Sequence, residues 1–183
     1  VEYHNHKSPS IHVKFHVTDS KTLERLGSPS QKTSFVIWTT TPWTLPANVA
    51  IAVHPDFEYA LYESKSQGSN TELLLVAKGL KESFEKDTGL ALKEIKSFKG
   101  TSLEGMLADH PFLARKSQII LGTHVGLDAG SGAVHTAPGH GQEDYVVGLK
   151  YRLPVLSPVD EAGCFTDEFA EMKGINVFKA NPM

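Results

Sequence analysis

Apolar and polar residues alternate over residues 11–17, the period-two signature of a half-buried strand, and this places His12, Lys14 and His16 on one face. Asp19 or Ser20 can cap a short helix over residues 21–26 that Gly27 would end, and the Ser-, Pro- and Lys-containing residues 28–33 read as a loop. The unbroken apolar run Phe35-Val36-Ile37-Trp38 predicts a buried strand that delivers the chain into the polar stretch 39–48. Strand signals recur at 50–53, 59–62 and 73–77, with polar residues 64–70 as a hairpin loop. The spacing of Leu80, Phe84 and Asp87 predicts a helix over 80–88, stopped by Gly89. A shorter helix is expected at 103–108, capped by Thr101 or Ser102. Farther on, strands are expected at 118–121, 132–136, 154–157 and 175–178, with a helix beginning near Gln142. No repeat of 20 to 50 residues is visible, which argues against a solenoid or propeller. Many short β-branched strands with few helices predict a mainly β fold with peripheral α elements, a closed or nearly closed β-barrel with helices inserted on its outside.

Composition narrows this picture. A chain of 183 residues, 40% of them hydrophobic, supports one sizeable core, so a single domain over 1–183 is expected. Its opening at Val1 and its end just past an Asn-Pro pair read as a piece of a longer protein. The balance of 18 Lys and Arg against 21 Asp and Glu is not that of a protein coating a nucleic-acid backbone. The lone Cys164 excludes an internal disulfide and a Cys-rich zinc site, suits a reducing compartment, and reads as a small, partly buried apolar residue. No apolar run approaches the roughly 18 residues of a membrane span, and the N-terminus lacks a signal-peptide pattern, so a soluble, intracellular protein is expected, cytoplasmic or of an organelle. Four histidines (His4, His6, His12 and His16) crowd the N-terminus. No carboxylate or cysteine is interleaved among them and Lys14 opposes a cation, so a solvated strand face is the better reading than a metal site.

Two segments can carry chemistry. In the first, Thr39, Thr40 and Thr41 follow the buried strand and precede Pro42, which biases Thr41 to an extended conformation. Hydroxyls both donate and accept, so a row of them at a strand end can hold an ester, an adenine edge or a water without adding charge. Three threonines alone are also what an ordinary strand contains. In the second, residues 130–145, a small-residue strand passes through Pro138-Gly139-His140-Gly141 into the helix near Gln142. Gly139 and Gly141 let backbone N–H groups approach a ligand, and a following helix N-terminus favours negative charge, such as a phosphate. His135 and Asp144 are the candidate functional side chains there, although Asp144 also suits a helix's first turn for purely structural reasons. His135 and His140 with Glu143 or Asp144 also form a loose metal constellation, but Pro138 and Gly139 break the helical face that a zinc hydrolase's paired histidines need.

Taken together, WTTTPWTLPAN (residues 38–48) and GAVHTAPGHGQED (residues 132–144) resemble the editing insertion domain of isoleucyl-tRNA synthetases, in the class I aminoacyl-tRNA synthetase family. The likeness spans nearly the whole chain, including VEYHNHKSPSIHVKF at the start and GINVFKANP at the end. Valyl and leucyl relatives usually carry arginine after the first two threonines, whereas this chain has Thr41-Pro42-Trp43. The HIGH-type and KMSKS-type signatures of the synthetic site are absent. The resemblance implies hydrolysis of valine mischarged onto isoleucine tRNA, and possible action on valyl-adenylate. It implies that Asp144 pairs with the α-ammonium and that His135 helps exclude isoleucine. Thr39, Thr40, Thr41 and Thr44 would contact the carbonyl, the terminal ribose or the attacking water, while Trp38, Trp43 and Asn48 would shape the pocket. The implied partners are the 3′ aminoacyl end of isoleucine tRNA, its valine moiety, and the catalytic and anticodon-binding parts of the parent synthetase. No cofactor and no metal are implied. The competing classes are an RNA-binding module that cleaves nothing, which the net charge of −3 disfavours, and an unrelated metallohydrolase using His135, His140 and Asp144.

Overall fold

In the computed structural model, which describes residues 10–65 and 71–181, the first alternating stretch forms β1 (Ile11–His16), antiparallel to β2 (Thr33–Thr39) with Phe15 opposite Phe35. The expectations for His4, His6, the leading motif before residue 10, residues 66–70 of the hairpin loop and the last two residues lie outside the described residues. Between these strands runs α1 (Ser20–Leu26), capped as its sequence indicates: the Asp19 carboxylate accepts from the Thr22 N–H, and Gly27 closes it in the left-handed conformation.

From β2 the chain makes a 3-10 turn (Pro42–Ala47) into β3 (Ala50–Val53), then continues through β4 (Glu58–Lys65), β5 (Glu72–Ala77) and α2 (Lys81–Thr88) to β6 (Ala91–Lys99). A further 3-10 turn (Gly100–Leu103) leads to β7 (Leu107–Asp109), β8 (Lys116–Leu121), β9 (Ala133–Thr136) and α3 (Gln142–Tyr151), and α4 (Val177–Ala180) closes the order. The strands form two mixed sheets, β1-β2-β5-β4-β6 and β7-β8-β3-β9.

The main core lies between the sheets, with Phe15, Ile37, Leu61 and Leu75 meeting Ile51 and Ile119. Outside the first sheet, Phe84 of α2 covers Val36, Tyr62 and Leu74; outside the second, Val147 of α3 covers Ala50, Ala52 and Ile120. No helix among the described residues is long and apolar enough to cross a membrane.

Several expectations need correction. The mainly β class with peripheral helices is what forms, but the strands make two open sheets rather than a closed barrel. The helix expected at 103–108 is absent: the 3-10 turn ends at Leu103 and residues 107–109 pair with β8. Residues 154–157 and 175–178 form no strand; the first are irregular and the second contribute to α4. A nine-residue strand, β6, went unread because only Leu92 and Phe98 along it are buried, leaving an edge whose pattern is mostly polar. The face of β1 bearing His12, Lys14 and His16 is half-buried rather than solvated. Lys14 pairs with Glu72, His16 Nδ1 lies 2.8 Å from the Ser34 hydroxyl, and the His12 ring meets Phe84 edge-on. Cys164 is partly buried, as read.

One residue ties the two sheets together. The phenol of Tyr59, fully buried on β4, accepts from the His54 N–H at 2.8 Å just past β3 and donates to the Gly132 carbonyl at 2.7 Å just before β9. Burial pushes this phenol up to about 12, so it remains a neutral donor. Tyr59→Phe strands both backbone groups. It should lower unfolding stability by about 1–3 kcal/mol in a denaturant titration, with the slope of the transition unchanged.

Candidate functional site

The two chemistry-bearing segments meet where the chain passes from one sheet to the other. β2 delivers Trp38 and Thr39, the 3-10 turn carries Thr44, and β9 lies beside β3 with His135 opposite Ile51. A cavity of about 260 Å³ opens there, lined by Trp38, Thr39, Thr40, Thr41, Thr44, Val134, His135, Ala137, His140 and Asp144.

The threonines are ordered by their own hydroxyls. Thr39 Oγ1 accepts from the Thr41 N–H at 3.0 Å and lies 3.3 Å from Thr41 Oγ1. Thr44 Oγ1 donates to the Thr41 carbonyl at 2.8 Å, and its N–H reaches the same oxygen at 3.0 Å. Thr44 Oγ1 also lies 3.0 Å from His135 Nε2. Because the threonine proton is already committed to the Thr41 carbonyl, Nε2 must carry the histidine proton, which leaves Nδ1 a bare acceptor. That Nδ1 is buried and has no protein partner. Burial, with His110 and His140 nearby, holds His135 down to about 4, so the ring is neutral at physiological pH.

Asp144 sits in the first turn of α3, where one carboxylate oxygen accepts from the Ala137 N–H at 2.9 Å. Burial pushes its carboxyl above the usual range, against the lowering effects of that hydrogen bond and of His124 and His140. It is the one carboxylate in the lining, and no lysine or arginine lines the cavity among the described residues. A desolvated carboxylate with a free oxygen, facing a space without a resident cation, is suited to receive an ammonium group.

The remaining expected residues are placed as follows. Trp43 stands behind His140, the rings meeting edge-on at 5.3 Å, and faces an adjoining aromatic cleft with Pro42, Phe112, Phe165 and Phe169. Asn48 does not reach the cavity lining. It is fully buried, its amide donating to the Ala50 carbonyl at 2.8 Å and its carbonyl accepting from the Ser117 hydroxyl at 2.5 Å, so it fastens the turn to β3 and β8. Gly139 is likewise used for packing, since a Cβ there would lie 2.1 Å from the Leu156 carbonyl oxygen. Gly141 is the N-cap of α3 and lies against Asp144. Sequence reasoning missed Val134 and Ala137, whose small side chains carry no chemical signal. It also missed Gly130, whose backbone at φ +82° lies so close over the Trp38 side chain that a Cβ would sit 2.6 Å away. Among the described residues no group of three or more His, Cys, Asp and Glu is arranged to hold a metal ion.

The family model described as the leucyl-tRNA synthetase editing domain matches residues 6–177. The chain is 52% identical to the isoleucine–tRNA ligase of Desulforamulus reducens over 99% of its own length and 19% of that protein. It is 51% identical to the corresponding ligase of Kosmotoga olearia over 100% of its length and 18% of that protein. It therefore spans about a fifth of these curated relatives. Among solved structures, the editing domain of the P. knowlesi cytosolic leucyl-tRNA synthetase superimposes with a TM-score of 0.68 at 14% identity, covering 80% of this chain and 64% of that one. That likeness is one of fold.

Asp144 makes a stability prediction of definite sign. Because burial raises its pKa above the ordinary 3.8, the folded state is favoured by the protonated carboxyl; that contribution is complete below pH 3.8 and is lost as pH rises through the raised value. Asp144→Asn keeps an acceptor for Ala137 without the charge. Its thermal midpoint at pH 7 should exceed the wild type's, and the difference should vanish below pH 3.8.

Proposed function

Because the chain belongs to the synthetase editing-domain family, we propose that it hydrolyses the ester of valine misattached to isoleucine tRNA, and that Asp144, His135 and the threonine row are the residues that do so. One observation carries the reading: the two motifs, far apart in sequence, line a single cavity that contains one carboxylate, a neutral histidine and a row of hydroxyls. The identity of about half to isoleucine–tRNA ligases favours that tRNA over the leucine one.

The need for such a site follows from a limit on binding. A single methylene is worth about 1–3 kcal/mol in an apolar pocket, isoleucine against valine in this class of enzyme being the accepted example, so a synthetic site admits valine too often. A second cavity too small for isoleucine can remove the error. In this reading the free oxygen of Asp144 takes the α-ammonium of the aminoacyl group, a charge-assisted bond that orients the ester. His135, held by Thr44, forms the wall that meets the extra methylene of isoleucine. Water attacks the carbonyl carbon, the bond to the ribose oxygen breaks, and that oxygen leaves with a proton, giving free valine and uncharged tRNA. The hydroxyls of Thr39, Thr40 and Thr41 position the water or the developing oxyanion, so that proximity and polar stabilisation supply the rate. Valyl-adenylate presents the same ammonium and carbonyl and is a further candidate substrate. The 3′ end of isoleucine tRNA and the remaining parts of a parent synthetase are the proposed partners.

The test is deacylation of valyl- and isoleucyl-esters, both on isoleucine tRNA. The valyl ester should be cleaved well above the buffer rate and the isoleucyl ester should not; a chain that cleaves neither, or both equally, would overturn the reading. Asp144→Ala should remove most affinity for a non-hydrolysable valyl-adenosine analogue, a loss on the order of 100-fold for a buried charge-assisted contact, read by calorimetry. His135→Ala should act first on selectivity, seen as new cleavage of the isoleucyl ester while valyl cleavage persists.

A further inference from the structure

The 3-10 turn Pro42–Ala47 is fixed from outside by a part of the chain that never reaches the cavity. The loop between β7 and β8, residues 110–115, places His110 beneath the turn with only 5% of its surface exposed. Its Nε2 lies 2.9 Å from the Leu45 carbonyl oxygen, and since a carbonyl only accepts, Nε2 carries the proton. Its Nδ1 accepts from the Leu113 N–H at 3.1 Å. Both nitrogens are therefore spoken for, in one tautomer, and burial holds the ring down to about 4, so it does not protonate in the physiological range. Arg115 of the same loop donates to the Pro46 carbonyl. The Leu45 carbonyl also takes the Asn48 N–H at 2.9 Å, so what His110 adds is an anchor from a different sheet edge to the residue next to Thr44.

Thr44 in turn holds the His135 ring. The chain of contacts is short and continuous: the β7–β8 loop to Leu45, Leu45 to Thr44 through one peptide, and Thr44 Oγ1 to His135 Nε2. His110 lines no part of the cavity; apart from its nearness to the His135 ring, its route to the substrate is this chain of contacts.

We propose that His110 is a specificity-positioning residue: by anchoring the Leu45 carbonyl it fixes Thr44 against His135, and so sets the largest aminoacyl side chain the cavity admits. The size-setting half rests on the functional reading above; the positioning half does not.

Two substitutions separate the roles of the two ring nitrogens. In His110→Gln the amide reaches the place of Nε2 and keeps a donor for Leu45. In His110→Asn the shorter side chain keeps an acceptor near Nδ1 for Leu113 and loses the Leu45 anchor. Imidazole nitrogen NMR of the histidine-labelled chain, with His135 assigned through His135→Gln, reads the protonated and hydrogen-bonded state of its Nε2 directly. Selective deacylation reads the consequence. His110→Asn should shift the His135 Nε2 signal and lower the ratio of valyl to isoleucyl ester cleavage about tenfold, the scale of one lost buried hydrogen bond, while His110→Gln preserves both. Unchanged His135 spectra in His110→Asn overturn the positioning role. A preserved cleavage ratio, or an equal loss in both variants that follows their thermal midpoints, overturns the specificity role and leaves His110 a packing residue. A wild-type chain inactive on both esters overturns the functional reading and the size-setting half with it, while the spectra still decide whether His110 positions Thr44.

Discussion

A backbone that leaves one sheet for another must satisfy its polar groups without a ladder, and the site exists where this chain does so. Between β2 and β3 the turn Pro42–Ala47 contains two prolines and so is short of donors; the Thr41 and Leu45 carbonyls take the Thr44 and Asn48 N–H groups, and the turn draws further partners from side chains. Leu45 and Pro46 find them in His110 and Arg115, while Thr41 finds its partner in the hydroxyl of Thr44. Asn48 completes the set by fastening the end of the turn to β3 and β8. The threonines are thus held at the mouth of a cavity by backbone demands that would arise whatever the cavity was for. Function has been added to a crossing that the fold must stabilise in any case.

Two of the ionisable side chains that line the cavity, His135 and Asp144, share one electrostatic circumstance. Burial disfavours the charged form of each: His135 stays a neutral wall whose Nε2 faces a hydroxyl, and Asp144 is a carboxylate kept short of counter-charge. The first can present a fixed surface to a side chain without attracting anions, and the second gains most when a cation arrives. The arrangement is pre-organised for a ligand that brings an ammonium group and an aliphatic side chain together. It also stores instability at the site, in keeping with the general trade between stability and activity.

How much of this the sequence discloses depends on whether the cue is local. The cap and stop of α1, the bounds of β3 and the start of α3 follow from short-range chemistry in Asp19, Gly27, the run from Ala50 and the turn before Gln142, and they form where expected. The cavity-lining threonines, His135 and Asp144 are legible because two unusual motifs contain them, yet nothing in either motif says that they share a wall. β6 is hidden because an edge strand needs only two inward residues. The helix expected at 103–108 fails because Leu103 and Met106 serve the inter-sheet core from a turn, and the residues after them pair with β8. Asn48 and Gly139 look like ligand-binding residues within their motifs and turn out to serve the backbone. His110 and Arg115 carry no pattern at all: their importance comes from carbonyls some 65 and 69 positions earlier, a relation only the folded chain contains.

The closing of Gly130 over Trp38 has a practical consequence. The chain has two tryptophans, and both border the site: Trp38 forms part of the cavity wall, with Gly130 against it, and Trp43 stands edge-on to His140. Every photon of indole emission from this protein therefore originates beside the cavity. Its intrinsic fluorescence is a built-in probe of that one region, without label or engineered reporter.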